Sequence, residues 1–145
     1  ENEKILGKGM LDSVKNLFRL GFANPESQLF VDVTRFRPTP KEITDMIHKS
    51  GGKAFLAHAY QYAFNNTLNM ITELRQECDL DGVEAFHSTF TLDQMMEIQE
   101  YAKKNNLYIS GGSDYHGRTK PEINLKTGCN NLHISKNILE WKKED

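Results

Sequence analysis

Cysteine is scarce here. Cys78 and Cys129 are the only two in 145 residues, and they stand far apart in no paired motif. That spacing argues against a disulfide framework and reads as two reduced thiols in a cytoplasmic protein. Long apolar runs are missing as well. None approaches the roughly 20 residues of a membrane helix, and no charged-then-apolar leader opens the chain. Neither sign of charge dominates: 18 Lys plus Arg stand against 20 Asp plus Glu, a net charge of −2. Without a basic field, nonspecific duplex binding is not the first expectation. There is no Walker A segment, no Gly-x-Gly-x-x-Gly, no Gly-x-Ser-x-Gly and no Cys-x-x-Cys. Phosphate-loop, dinucleotide, serine-nucleophile and redox-thiol chemistry therefore lack their usual signatures. No repeat or low-complexity tract interrupts the chain.

What is present has a globular composition, 38% hydrophobic and 26% charged with a mean hydropathy of −0.61. The length is that of one ordinary domain. Leu11, Val14, Leu17, Phe18 and Leu20 fit one face of a helix over 10–22, followed by a short extended run over 29–33. Arg35-Phe36-Arg37 cannot stay helical before Pro38. Thr39-Pro40-Lys41-Glu42 is a capping box with proline at the first helical position, and Ile43, Met46 and Ile47 follow at core spacing until Gly51-Gly52 ends the helix. A buried strand is expected at 54–58. A helix capped by Asn66 or Thr67 should run to about Cys78 with Leu68, Ile71 and Leu74 inward. Strands are expected again at 83–86 and 107–110. Between them Thr91 to Gln94 forms a second capping box, opening a helix with Met95, Ile98 and Ala102 on one face. Ser135 is placed to cap a final helix carrying Ile138, Leu139 and Trp141. Alternating helices and strands with short connections predict α/β architecture with a parallel sheet. Three or four strands are too few for a closed barrel, so the chain is either a small open sheet or a section of a barrel.

The polar residues cluster by position. His58 ends the first strand, Glu84 and His87 lie on and just past the second, and Asp114 and His116 follow the third. In parallel α/β folds the carboxyl ends of strands converge on one face, where sites are built. A carboxylate and imidazoles suit Zn, Mn or Fe, and alternate residues of an extended Asp-x-His segment point the same way. His58, Asp114 and His116 are thus candidate metal ligands. Glu84 and His87 are three apart and face opposite sides of a regular strand, so both reach the site only if the strand ends at Phe86. Arg118 and Lys120 follow Asp-x-His directly, and Tyr60, Gln61, Tyr62 and Tyr115 stand nearby, in position to handle an anionic substrate. His48, late on a helix, and His133 read as structural.

Three segments, in order and spacing, carry a family likeness: Gly51-Gly52-Lys53-Ala54-Phe55-Leu56-Ala57-His58, Asp81-Gly82-Val83-Glu84-Ala85-Phe86-His87, and Gly111-Gly112-Ser113-Asp114-Tyr115-His116-Gly117 with Lys120-Pro121. Together they resemble the later motifs of the PHP (polymerase and histidinol phosphatase) superfamily, nearest its phosphoesterase branch of nucleotide phosphodiesterases and 5′→3′ exoribonucleases. The resemblance covers residues 38–125 or so. It implies a distorted (β/α)7 barrel of which 38–145 is the C-terminal half, with 1–37 the helical tail of an insert. It also implies two or three divalent ions (Mn, Zn, Fe or Mg) and hydrolysis of phosphate esters by metal-activated water. On that pattern His58, Asp114 and His116 are ligands, Asp114 is also the candidate proton acceptor, and Glu84 and His87 contact substrate.

The family's first His-x-His motif is absent from these 145 residues. Where relatives carry His-Pro and then an arginine, this chain has His58-Ala59 and Gln61, which removes an arginine phosphate clamp. The chain also opens on Glu1 rather than Met. It is therefore expected to be part of a longer protein, nearly inactive alone, with open sheet edges that favour self-association. A phosphorylated small molecule, a nucleotide or single-stranded nucleic acid is the expected partner, with no membrane. The alternatives are a non-catalytic α/β binding module and a phosphatase for a small metabolite.

Overall fold

The computed structural model describes residues 6–62, 64–128 and 132–142. The chain divides into two compact units, Glu1–Pro38 and Thr39–Asp145. In the first, the Ser13 hydroxyl accepts from the Asn16 N–H at 3.0 Å and opens α1, Val14–Asn16. The helix then widens into a π-turn over Leu17–Phe22, where the Ala23 N–H reaches the Phe18 carbonyl at 2.8 Å. The expected helical face is only partly used: Gly21 and Met10 are buried, while Leu11, Val14, Phe18 and Leu20 stay exposed. Residues 29–33 pair with no strand among the described residues, and Arg37 is extended before Pro38, as the proline requires.

The second unit follows the expected alternation. α2 spans Pro40–Lys49, and both halves of its capping box form. It ends at Gly51 (φ 77°), whose left-handed backbone lets the Gly52 N–H return to the Ile47 carbonyl. β1 is Phe55–Leu56, α3 is Thr67–Glu77, β2 is Gly82–His87, α4 is Leu92–Lys104 and β3 is Tyr108–Gly112. The strands form one parallel sheet in the order β1-β2-β3. Ile71 of α3 and Ile98 and Ala102 of α4 pack with Val83 and Ala85 of β2, all fully buried. Ile98 and Ile71 each gain roughly 1.5–3 kcal/mol from that burial, which fixes the central strand between two helices.

Three expectations are corrected. The first strand is shorter than 54–58, because the His58 N–H is taken by the Glu84 carboxylate instead of a ladder carbonyl. Ile43 (42% exposed) and Met46 (54%) are not core; Thr44 is the buried residue of that turn. Ile43 instead lines an open apolar groove of about 490 Å³ with Ile47, Ala54, Leu56, Tyr62 and Leu74, beside β1, an outer strand among the described residues. The final segment, Lys136–Lys142, is 3-10 rather than α-helix, with Ser135 Oγ accepting from the Asn137 N–H at 3.3 Å. Cys78 is buried and unbridged, its thiol donating to the Leu74 carbonyl, while Cys129 lies outside the described residues. No helix of the described residues is long and apolar enough to cross a membrane.

Candidate active site at the strand ends

The parity problem at β2 is solved by a β-bulge. Glu84 pairs with Ser110 but Phe86 pairs with Gly111, so β2 takes two steps where β3 takes one. Such an extra residue breaks the two-residue alternation and re-aims the side chains around it. The strand continues to His87, past the end that strict alternation requires at Phe86, and still both side chains reach the strand-end cluster. Glu84 reaches His58, and His87 reaches Asp114. Gly111 permits the close approach of the two strands there: a Cβ on it would lie 2.7 Å from Phe86 Cβ. Just beyond, the Ser88 hydroxyl donates to the Ser113 carbonyl at 2.9 Å and ties the two loops together.

Two of the candidate ligands sit in left-handed backbone. His58 has φ 36° and Asp114 has φ 55°. Non-glycine residues adopt that region at a cost that surrounding contacts must hold in place, and such positions concentrate at functional sites. For His58 the hold is the 2.7 Å bond from its N–H to Glu84 Oε2 and the turn Ala59–Gln61 that it opens. Its Nδ1 is buried and has no hydrogen-bond partner among the described residues. Burial pushes the Glu84 carboxyl above the usual range, against the pull of the His58 N–H.

His87 is fully buried, its ring centroid 6.1 Å from that of His58 and 5.0 Å from that of Phe90. Its Nδ1 accepts from the Thr89 N–H at 3.2 Å and lies 2.9 Å from Thr89 Oγ1. An Nδ1 that accepts leaves the proton of the neutral ring on Nε2. That N–H faces Asp114 Oδ2 at 3.9 Å, while the Gln61 side-chain N–H donates to Thr89 Oγ1 at 3.4 Å rather than to the ring. Burial holds the imidazole pKa below its ordinary value. His87 is thus a neutral hydrogen-bond donor, a role that suits an anionic group better than a cation. Sequence reasoning passed over Thr89, which sets this tautomer; a threonine two residues after a strand-end histidine is the signal it left.

Asp114 is the hub. Its carboxylate, 19% exposed, binds the Lys120 ammonium through Oδ2, and His116 Nδ1 lies 3.4 Å from Oδ1. Burial would raise its pKa, but the hydrogen bond and charge of Lys120 outweigh it and hold the carboxyl below its usual value. His116, 49% exposed, places Nδ1 2.6 Å from the Asp114 carbonyl. A carbonyl only accepts, so Nδ1 carries the proton and Nε2 keeps its lone pair, the arrangement second-shell partners impose on ligating histidines. Arg118 is exposed on the turn Gly117–Thr119 and makes no hydrogen bond or ion pair among the described residues. The structure therefore gathers His58, Glu84, His87, Asp114, His116 and Lys120, and leaves Arg118 outside.

The donor set suits a divalent cation on two counts: the buried Nδ1 of His58, unpartnered among the described residues, and the lone pair that His116 keeps on Nε2. Convergence is incomplete. Among the described residues no group of three or more His, Cys, Asp and Glu side chains is arranged to hold a metal ion.

Comparison with known proteins bears on what this face does. The chain is 35% identical over 78 residues to the phosphoribosyl 1,2-cyclic phosphate 1,2-diphosphodiesterase of Eggerthella lenta, covering 54% of this chain and 28% of that protein. It is 33% identical over 69 residues to the 3′,5′-nucleoside bisphosphate phosphatase of Chromobacterium violaceum (46% and 24%). It is also 30% identical over 79 residues to the 5′-3′ exoribonuclease Rnm of Escherichia coli (54% and 27%). The matches span about a quarter of the length of these curated relatives. Among solved structures, an amidohydrolase from Chromobacterium violaceum aligns at TM-score 0.55 and 25% identity, over 74% of this chain and 37% of that one. A structure from Bifidobacterium adolescentis, described as a metal-dependent phosphoesterase, aligns at 0.56 and 23%, over 83% and 41%. No protein-family model matches the chain. By these matches about half of the chain is similar to parts of known hydrolases. Within that class, the curated relatives it meets are named for phosphoester-cleaving enzymes.

Proposed function

We propose that this chain forms the C-terminal strand-end face of a metal-dependent phosphoesterase, part of a distorted (β/α)7 barrel, acting on phosphate esters of nucleotides or single-stranded nucleic acid. The observation that carries the reading is the meeting of His58, Glu84, His87 and Asp114 at the carboxyl ends of three adjacent parallel strands. The names of the relatives support the substrate class, since all three concern phosphates borne on ribose derivatives or RNA.

His58, Asp114 and His116 are the residues that would hold a divalent ion (Mn, Zn, Fe or Mg). Such an ion supplies Lewis acidity toward a phosphoryl oxygen and acidifies water. Two or three ions would need more ligands than these three residues offer. The chain's own groups do the rest. Glu84 fixes the His58 backbone through its N–H. The Nε2–H of His87 donates to a phosphate oxygen, Asp114 takes up a proton at its carboxylate, and Lys120 and Arg118 attract the anion.

The test is metal affinity. Wild-type chain titrated with Mn²⁺ and Zn²⁺ by calorimetry should bind, and His58→Ala should weaken binding on the order of 10–100-fold. Equal affinity in wild type and His58→Ala sinks the ligand assignment. The ion pair of Lys120 with Asp114 favours a second reading, an anion-binding α/β module without catalysis. Nucleotide binding that persists in EDTA and is unaffected by His58→Ala would select it.

A further inference from the structure

We propose that Lys120 and a divalent cation are alternative occupants of the Asp114 carboxylate, so that the lysine sets the threshold for metal loading and moves to the substrate phosphate when an ion takes its place. The proposal rests on the metal-dependent reading above and assigns a role to a residue within that site. Asp114 Oδ2 already has two neighbours that bear protons: the Lys120 ammonium is bonded to it, and the neutral Nε2–H of His87 faces it at 3.9 Å. An ion bound through the same oxygen would meet the ammonium at contact distance, in a site only 19% exposed at Asp114. Two cations cannot share one carboxylate oxygen there without strong repulsion.

The lysine is free to leave. Its side chain is 32% exposed and follows the turn Gly117–Thr119, whose backbone is held separately by the Thr119 hydroxyl on the His116 carbonyl at 2.8 Å. Its four-carbon stem lets the ammonium swing while the backbone stays. The displaced charge remains beside the ion-binding position, where a phosphate oxygen would arrive. His87, held as a donor by Thr89, cannot serve in this way, because a neutral N–H neither repels nor is displaced by a cation with comparable force. Lys120 is the one fixed cation bonded to the candidate ligands among the described residues.

The experiment compares wild type, K120M and K120R after EDTA treatment, by Mn²⁺ calorimetry and by mass-spectrometric amine acetylation. K120M keeps the apolar stem but loses the charge and should bind Mn²⁺ about tenfold more tightly, the scale on which partners of a ligand tune affinity. K120R keeps the charge and should stay near wild type. In the wild type, acetylation of Lys120 should accelerate on adding Mn²⁺ while that of the exposed Lys41 does not. If wild type binds Mn²⁺ and K120M binds no tighter, the exchange is wrong and the metal site stands. If neither binds, both readings fall.

Discussion

The sheet carries a histidine–aspartate pair at each end, and the two are built differently. At the amino ends of the strands, His48 Nε2 lies 2.8 Å from Asp81 Oδ2, and the same oxygen accepts the Ala54 N–H at 2.6 Å. At the carboxyl ends, His87 Nε2 stops 3.9 Å short of Asp114 Oδ2. The first pair closes on itself and splices α2 to the starts of β1 and β2. The second is held open: Asp114 is in left-handed backbone, His87 takes its hydrogen bond from Thr89, and the nearby His58 Nδ1 is buried without a partner among the described residues. Equal residue types thus do opposite work. A pair that satisfies its own polar atoms stabilises the fold, whereas groups fixed by third parties keep capacity for a ligand.

That contrast is breakable by substitution. Asp114→Asn, chosen because Asn tolerates left-handed backbone, should lower Mn²⁺ affinity by roughly 100-fold yet change urea stability by less than about 1 kcal/mol. Asp81→Ala should do the reverse. It strips an acceptor from a backbone N–H and a partner from His48, a loss of about 2 kcal/mol, with Mn²⁺ affinity unchanged. Chemical denaturation and calorimetry on both variants decide it. A swap of the two outcomes would show that the closed pair, not the open one, is the functional one.

Much of the scaffold was legible from local chemistry. Both capping boxes, the Asn66 cap and the inward Ile71, Ile98 and Ala102 follow from side-chain spacing alone and are found in place. The strand-end positions of His58, Glu84 and Asp114 follow from parallel α/β topology. The rest depended on long-range geometry. The exposure of Ile43 and Met46 reflects a groove beside β1 that no periodicity reveals. His48 reads as a helix-end histidine, and nothing in its surroundings names Asp81 as its partner. Glu84 and His87 conflict under strict alternation, and only the register shift between Glu84 and Phe86 reconciles them. Lys120 reads as an open substrate charge, and its closure onto Asp114 is a tertiary event six residues on.

The buried ring of His87 also gives the open end a smaller, pH-linked signature. Burial, with added repulsion from His58 and Lys120 and partial relief from Asp114, holds its pKa below the ordinary value in the folded chain. In the unfolded chain the same imidazole titrates near 6.5. Above that pH both states hold the ring neutral, and its contribution to stability is present in full. As the pH falls through 6.5 the unfolded state takes up a proton that the folded state refuses, so stability declines until the depressed folded pKa is reached. Glu84, whose unfolded carboxyl titrates lower than an imidazole, acts with the opposite sign. Its raised pKa means the folded state binds a proton before the unfolded carboxyl does near 4.5, which favours folding on acidification. Urea unfolding of wild type between pH 7.5 and 5.5 should therefore lose stability, and His87→Gln, starting from a lower value, should show a flatter slope across that interval. An identical slope in the two proteins would mean that the folded ring takes up its proton as readily as the unfolded one, and that Thr89 does not hold it as the neutral donor that its proposed role toward a phosphate requires.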